Sequence, residues 1–312
     1  FGVKPLYYYQ SPEKLFFSSE LSPIISLETE ASKLDILTIY RYLIFWYSCE
    51  PNTFYKEVEA VKPGTLIKVS NDCKEEIKWW KPEFECTHKN YSSFIDNLDF
   101  LLKDSVKLRM ISDVPISCLL SGGIDSGLVC SYWNDIDKSP TKDAFSLGFN
   151  NKSYDELINA SKQANKFGIN LITSKLDKPT IDDLTCIYSK LDQPIGNSSF
   201  IGSYYLFKMI DESNYKVCLT GDGADELFGG YPTYQMTNIS RLWDLLPSNI
   251  TKLTGNLINK LPVSFELISF DYKIKQFLKS TNYTPHHPFY RCVFTPELAR
   301  QILSKFNQPS LS

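Results

Sequence analysis

The residues with the most chemical promise lie in "DVPISCLLSGGIDSGLVCSYW", Asp113 to Trp133. An apolar run ends at Ser121-Gly122-Gly123, and Asp125-Ser126 opens a second apolar segment. Glycines let a backbone turn sharply and approach a ligand closely. A helix starting here presents unpaired N–H groups and a partial positive charge, which together make an anion site. Ser121 and Ser126 add hydroxyl donors. Asp125 suits an anion only through a cation, and Mg²⁺ takes hard oxygen ligands in nucleotide sites. The loop therefore reads as a Mg²⁺-pyrophosphate cradle. No lysine follows the glycines, so this is not a Walker loop serving transfer at the γ-phosphate. It suits pyrophosphate leaving while the α-phosphate is attacked. The plainer reading is a tight strand–helix turn capped by the aspartate. The five fixed positions of S-G-G-x-D-S disfavour that reading, since chance supplies them in about one chain in a few thousand of this length.

A second stretch, "KVCLTGDGADELFGGYPTY", repeats the logic from Lys216 to Tyr234. A short strand reaches Thr220 and Gly221, and Asp222, Asp225 and Glu226 follow within five residues. Carboxylates this dense repel unless they are solvated or bound to a metal. A solvated acidic turn is the plainer reading. Two glycine-framed acidic loops at two strand ends of one sheet favour a shared metal instead. An acid at position 222 could orient an amine or accept its proton.

Alternating elements must position these loops. Strands are predicted over 115–121, 144–149, 169–174 and 216–220, with helices over 125–133, 154–167, 181–191 and 202–212. Strands separated by helices imply a parallel sheet with helices on its faces, and ligands bind such sheets at the carboxyl ends of the strands. An amphipathic helix precedes them, with apolar residues at 94, 98, 101, 102 and 106 and a capping box at Ser93 and Asp96. The polar stretch 86–93 reads as a linker. Upstream the texture is β-rich. Aromatic runs at 6–9 and 15–18 flank "QSPEK" as a hairpin. A helix is expected over 34–47 with Asp35 near its cap, then strands with turns at 63–64 and 71–72. From 241 onward the chain reads as helical and irregular.

The whole chain sets limits. Its 312 residues suggest two domains, and 43% hydrophobic with 22% charged content is ordinary globular material. A net charge of −3 supplies no strong basic field for nucleic acid or an anionic membrane. The longest apolar stretch, 42–49, is too short to span a bilayer. No leader of basic-then-apolar type opens the chain. Eight cysteines without a C-x-x-C pair, and three histidines, argue against a zinc site and for reduced thiols in a cytoplasmic protein.

These motifs resemble the asparagine synthetase family, the glutamine-dependent amidotransferases with an ATP-pyrophosphatase domain. The resemblance rests on "LRMISDVPISCLLSGGIDS", "FSLGF" and "LTGDGADELFGGY", and on "FGVKPLYYY…LFFSSEL" with "PNTFYKEVEAVKPGTLIKV" upstream. It implies the C-terminal part of a glutaminase domain over 1–85, and over 92–312 an α/β ATP-pyrophosphatase domain of PP-loop type, C-terminally incomplete. It implies amidation of aspartate to asparagine through an acyl-adenylate, with ATP and Mg²⁺. Ser121, Gly122, Gly123 and Ser126 would hold pyrophosphate, and Asp125 and Asp225 would ligate Mg²⁺. Leu120, Leu147, Thr220 and Gly221 would line the adenosine side, and Asp222 would face the reacting carboxylate and ammonia. Family members more often carry Glu at that position, so another carboxylate acceptor is the alternative. "LDQPIGNSSFIGSYY", 191–205, resembles the substrate-side loop, where Asp192, Ser198 and Ser199 could meet an acceptor, and the plainer reading is a helix N-cap at Ser198 or Ser199. The family's glutaminase nucleophile is an N-terminal Cys, and no cysteine precedes Cys49. A fragment cut at both ends and dependent on free ammonia is therefore expected. Its partners would be small molecules, with neither nucleic acid nor membrane, and a homodimer is compatible with the reading. The rivals are a non-catalytic remnant of the fold and an RNA-modifying enzyme with a similar loop.

Overall fold

The computed structural model describes residues 1–70, 73–85, 90–149, 156–246, 254, 270–281 and 292–305. The predicted turn at 71–72, much of the predicted linker, the start of the helix at 154 and parts of the region after 246 lie outside them. The chain divides into two compact units. One holds residues 1–83, 191–197 and 231–312, and the other holds residues 84–190 and 198–230.

In the first unit, β1 (Tyr7–Gln10) and β2 (Leu15–Ser18) form the expected hairpin, with Tyr7 opposite Ser18. β3 (Val58–Ala60) adds to the other edge of β1, also antiparallel. The alternation puts Tyr9 and Val58 on one face, where they close over Leu21 and Ile24 of helix α1 (Leu21–Leu27). Helix α2 (Ile36–Phe45) starts at Asp35, whose carboxylate accepts from the N–H groups of Leu37 and Thr38. It shares a small core, Ile44 with Cys292 and Ala299, with the helix Pro296–Ser304. β4 (Thr65–Ser70) and β5 (Cys73–Lys78) pair as a separate ribbon. Of the region expected to be helical after 241, the described part holds the end of a helix Pro232–Asp244, then helices Phe270–Ser280 and Pro296–Ser304.

The second unit is the expected parallel sheet. Helix α3 (Tyr91–Arg109) leads in, but its cap is Asn90, whose side chain accepts from Ser92 N–H at 3.0 Å. Ser93 is already inside the helix and donates its hydroxyl to Asn90 O, so the predicted Ser93–Asp96 box does not form. The helix extends one turn further than its apolar spacing indicated, because Asn90 is itself a strong N-cap. Strands β6 (Ile116–Leu119), β7 (Asp143–Phe149), β8 (Asn170–Leu176) and β9 (Val217–Leu219) alternate with helices α4 (Ile124–Ile136), α5 (Leu157–Phe167), α6 (Ile181–Tyr188) and α7 (Ser199–Glu212).

All neighbouring strands run parallel, in the order β8-β7-β6-β9. Both faces are covered, so the central strands are apolar almost throughout, and Cys118, Leu120, Ala144 and Phe145 have no exposed surface. From β6 the chain steps outward through β7 to β8, then returns to place β9 on the other side of β6. The order therefore reverses between β6 and β9. In an open α/β sheet this switch point opens a crevice at the carboxyl ends of the strands.

Candidate active site

Both glycine-acid loops leave from that crevice, one after β6 and one after β9. In the first, Gly122 adopts φ +89°, a left-handed conformation that glycine alone takes without strain. A β-carbon there would stand 2.7 Å from Ala160 N and 3.0 Å from Glu156 O, so the loop lies directly against the start of α5. α4 begins with Gly123 as N-cap, without a capping side chain, so the first N–H groups of the helix keep no intrahelical partner. Asp125 falls in the first turn and is half-buried. The plainer reading of this aspartate as the cap is not what forms.

The two serines divide the work. Ser126 is buried, and its Oγ accepts from Ser121 N–H at 3.2 Å and lies 2.9 Å from Ser121 Oγ. Ser121 is exposed, and its Oγ also accepts from Gly123 N–H at 3.2 Å. If the Ser126 proton bridges to Ser121 Oγ, the Ser121 proton is left for an outside acceptor. Ser126 is then a strut within the loop and Ser121 is the presenting hydroxyl. Leu120 has no exposed surface, and its side chain belongs to the core beneath the loop. Leu147 is half-buried near the end of β7. Gly202 of α7 approaches it, since a β-carbon there would be 3.6 Å from Leu147 Cδ2.

The second loop meets the first. A β-carbon on Gly221 would lie 2.8 Å from Ser126 N, 3.0 Å from the Asp125 carbonyl carbon and 3.1 Å from Asp125 Cβ. Only a glycine permits this approach of two backbones. Thr220 turns back on the loop, with its Oγ1 donating to Asp222 Oδ2 at 3.0 Å and accepting from Asp222 N–H at 3.3 Å. Asp222 is exposed. Asp225 lies in the five-residue helix α8 (Ala224–Phe228), and its Oδ1 stands 1.9 Å from where a β-carbon of Gly230 would be. Gly230 N–H donates to Asp225 O at 3.0 Å and closes the turn.

Asp125 and Asp225 are the carboxylates with the chemistry that Mg²⁺ takes in phosphate sites. Among the described residues no three His, Cys, Asp or Glu side chains group closely enough to cage a metal. Asp125 and Asp225 are two half-buried carboxylates on loops in contact. Mg²⁺ keeps most of its waters and takes one or two carboxylates with substrate phosphates, so a pair suits it better than a cage would.

Two features, one in each unit, were not legible as such. The Gln163 amide, from α5, donates through Nε2 to Gly122 O and Gly123 O, both at 3.3 Å. Asp192 proves to be a helix cap. Its carboxylate accepts from Leu21 N–H at 2.7 Å, from Ser22 N–H at 3.2 Å and from the Ser22 hydroxyl, all at the start of α1. Gln193 beside it accepts from Phe54 N–H at 2.9 Å. Ser198 holds the N-cap position of α7 but makes no side-chain capping bond.

A doubly wound parallel sheet with two glycine-acid loops meeting at its switch point defines a class of α/β proteins that bind phosphates at a strand-to-helix turn. Within that class, the chain belongs to the asparagine synthase family, whose profile matches residues 97–295. A glutamine amidotransferase domain profile matches residues 1–80. Asparagine synthetase [glutamine-hydrolyzing] 1 of Bacillus subtilis is 29% identical over 84% of this chain and 41% of its own length. The amidase chyE of Penicillium rubens is 26% identical over 77% of this chain and 38% of its own. The chain thus spans well under half the length of these relatives. A glutamine-dependent NAD+ synthetase from Acinetobacter baumannii, solved with ADP, aligns over 83% of this chain and 52% of that one. Its TM-score of 0.32 at 14% identity is too low to carry an argument. No helix among the described residues is long and apolar enough to cross a membrane.

Proposed function

We propose that the chain carries the carboxylate-activating part of an ATP-dependent amidotransferase that converts aspartate to asparagine. The observation that carries the reading is the contact of Gly221 with the Asp125–Ser126 backbone, because it unites two loops that are otherwise unrelated turns. Residues 1–85 are read as part of a glutaminase domain and 92–312 as the ATP-pyrophosphatase domain.

The chemistry runs as follows. A substrate carboxylate oxygen attacks the α-phosphorus of ATP, the bond to the bridging oxygen breaks, and pyrophosphate leaves. Ser121 hydroxyl and the N–H groups at the start of α4 receive the departing charge, with Ser126 holding Ser121 in place. Asp125 and Asp225 would hold Mg²⁺, which would offset the negative charge of the pyrophosphate. Thr220 and Gly221, after β9, border the nucleotide, with Leu147 on β7 beyond β6. Ammonia then attacks the acyl carbon, AMP leaves, and Asp222, oriented by Thr220, accepts a proton from the nitrogen.

A second reading keeps the same steps with another carboxylate as acceptor, in polysaccharide or secondary metabolism. Asp222, where the family more often carries Glu, favours it. Exchange of labelled pyrophosphate into ATP, measured with Mg²⁺ and a panel of carboxylates, tests both. Exchange stimulated by aspartate alone supports the first reading, and stimulation by a different carboxylate selects the second. Exchange with no carboxylate in the panel, together with no Mg²⁺-dependent nucleotide binding, overturns the enzymatic reading and leaves a non-catalytic remnant.

A further inference from the structure

We infer that Gln163 is a positioning residue for the phosphate loop, acting from α5 without touching the ligand. This rests on the proposed function of the loop. Gln163 reaches two consecutive carbonyls, Gly122 O and Gly123 O, with one Nε2. In a trans peptide the C=O and the next N–H point in opposite directions. Drawing the two carbonyls toward α5 therefore turns the N–H groups of Gly123 and Ile124 the other way. Gly123 N–H is held by Ser121 Oγ, the hydroxyl read as presenting to phosphate. One amide thus sets the two peptide planes on which the loop's donor geometry depends.

Two oddities of the sequence are explained together by this contact. The first is a glutamine whose Oε1 is buried with no hydrogen-bond partner among the described residues. A buried, unsatisfied acceptor is unfavourable, and it is tolerated where the rest of the group does something else. Turning the amide over would satisfy nothing, since oxygen would then face two carbonyl oxygens. The second is Gly127, a buried glycine in the second turn of α4, where glycine is a poor choice against alanine. A β-carbon on Gly127 would stand 3.0 Å from Gln163 Nε2 and 3.1 Å from Oε1. The glycine leaves the space that the amide occupies. Gly122 needs its own missing β-carbon to lie against Ala160, three residues before Gln163. Three positions in two helices and a loop therefore serve one arrangement.

The test separates positioning from simple packing. Gln163→Met keeps the length and volume and removes both the donor and the orphaned acceptor. Affinity for Mg²⁺ with inorganic pyrophosphate, and with the α,β-methylene analogue of ATP, is measured by calorimetry beside the thermal midpoint. The expected result is about tenfold weaker binding of both probes, the size of one lost hydrogen-bonding group. The midpoint should be unchanged or raised, because a buried unsatisfied oxygen has gone. Gly127→Ala is the second variant. It should weaken the same binding by pushing the amide off the carbonyls, while the gain in helix propensity offsets the crowding and keeps the midpoint near that of the unsubstituted protein. Undiminished affinity in both variants overturns the inference while leaving the site intact. A parallel fall of midpoint and affinity in both variants assigns Gln163 to packing and also overturns it. If the unsubstituted protein binds neither probe, it is the functional reading of the loop that fails.

Discussion

Asp225 and Gly230 interlock: the carboxylate oxygen Oδ1 of one lies 1.9 Å from where the other would carry a β-carbon. No L side chain other than glycine can stand at 230 while Asp225 keeps this position. The glycines of "ELFGG" therefore hold an acid in place as well as ending α8. Gly230→Ala should displace the Asp225 carboxylate from its place over position 230. Position 230 is exposed, so little packing is lost and the thermal midpoint should stay within about 2 °C, the shift expected of an exposed substitution costing about 0.5 kcal/mol. The Mg²⁺ concentration needed for half-maximal pyrophosphate exchange should rise at least about tenfold, as for a lost charged ligand. An unchanged Mg²⁺ requirement would remove Asp225 from the proposed metal site.

Gly221→Ala is expected to act on both stability and function. The new methyl would meet backbone atoms, Ser126 N at 2.8 Å and the Asp125 carbonyl carbon at 3.0 Å, and backbone cannot swing aside as a side-chain tip can. Overpacking of this kind costs about 1–3 kcal/mol. The urea midpoint should fall accordingly, and nucleotide binding should fall with it, because the two loops must separate. A variant of native stability and full binding would show that the loops are not in contact in solution.

Asp192 separates a structural role from a chemical one. The resemblance placed it near an acceptor, but its carboxylate binds two backbone N–H groups and a hydroxyl at the start of α1. The residue in the N-cap position, Glu20, makes no side-chain cap of its own, so Asp192 does the work from a distant part of the chain. Asp192→Ala should cost about 1 kcal/mol, the usual loss of a cap. Asp192→Asn keeps one acceptor oxygen and should recover most of it. The check is a pair of urea titrations, and equal stability of all three proteins would refute the capping role.

The contrast between Asp192 and the sheet shows what was readable from residues alone. The strands of the second unit were legible because both faces of the sheet are covered. Burial then demands continuous apolar runs such as that around Cys118 and Leu120, and glycines mark where they stop. The turn at 121–126 was legible because its contacts are local, within six residues. Contacts made across the chain left no such trace. Asp192 caps a helix 171 residues earlier, and nothing near it in sequence points to Leu21. Gln163 looks like any polar residue on a helix, and the one clue was a glycine inside α4. The cap was expected at Ser93 because the apolar spacing starts only at Phe94, whereas the backbone is already helical from Tyr91. Leu120 was legible as part of a motif, but its burial beneath the loop depends on β7, whose Phe145 O accepts from Leu120 N–H at 2.9 Å.

The thiols give a pH-dependent test that needs no ligand. Cys118 and Cys130 are fully buried and interact, which with burial pushes the Cys118 thiol well above its ordinary value. Burial also pushes Cys218, on the neighbouring strand β9, up to about 11. Cys186 is exposed. A raised thiol pKa means that the folded chain holds a proton the unfolded chain releases more readily. The contribution is fully present below the ordinary thiol value of about 9. It is lost progressively as pH rises from there toward about 11. Stability should therefore decline across that window, and Cys218→Ala should flatten part of the slope. Labelling the native protein with iodoacetamide at pH 8 should modify Cys186 and spare Cys118 and Cys130, which react only after unfolding, as burial rather than low reagent reactivity controls access. Rapid native labelling of Cys118 would mean that β6 opens beneath the phosphate loop, and the loop could not then be the fixed cradle on which the proposed chemistry depends.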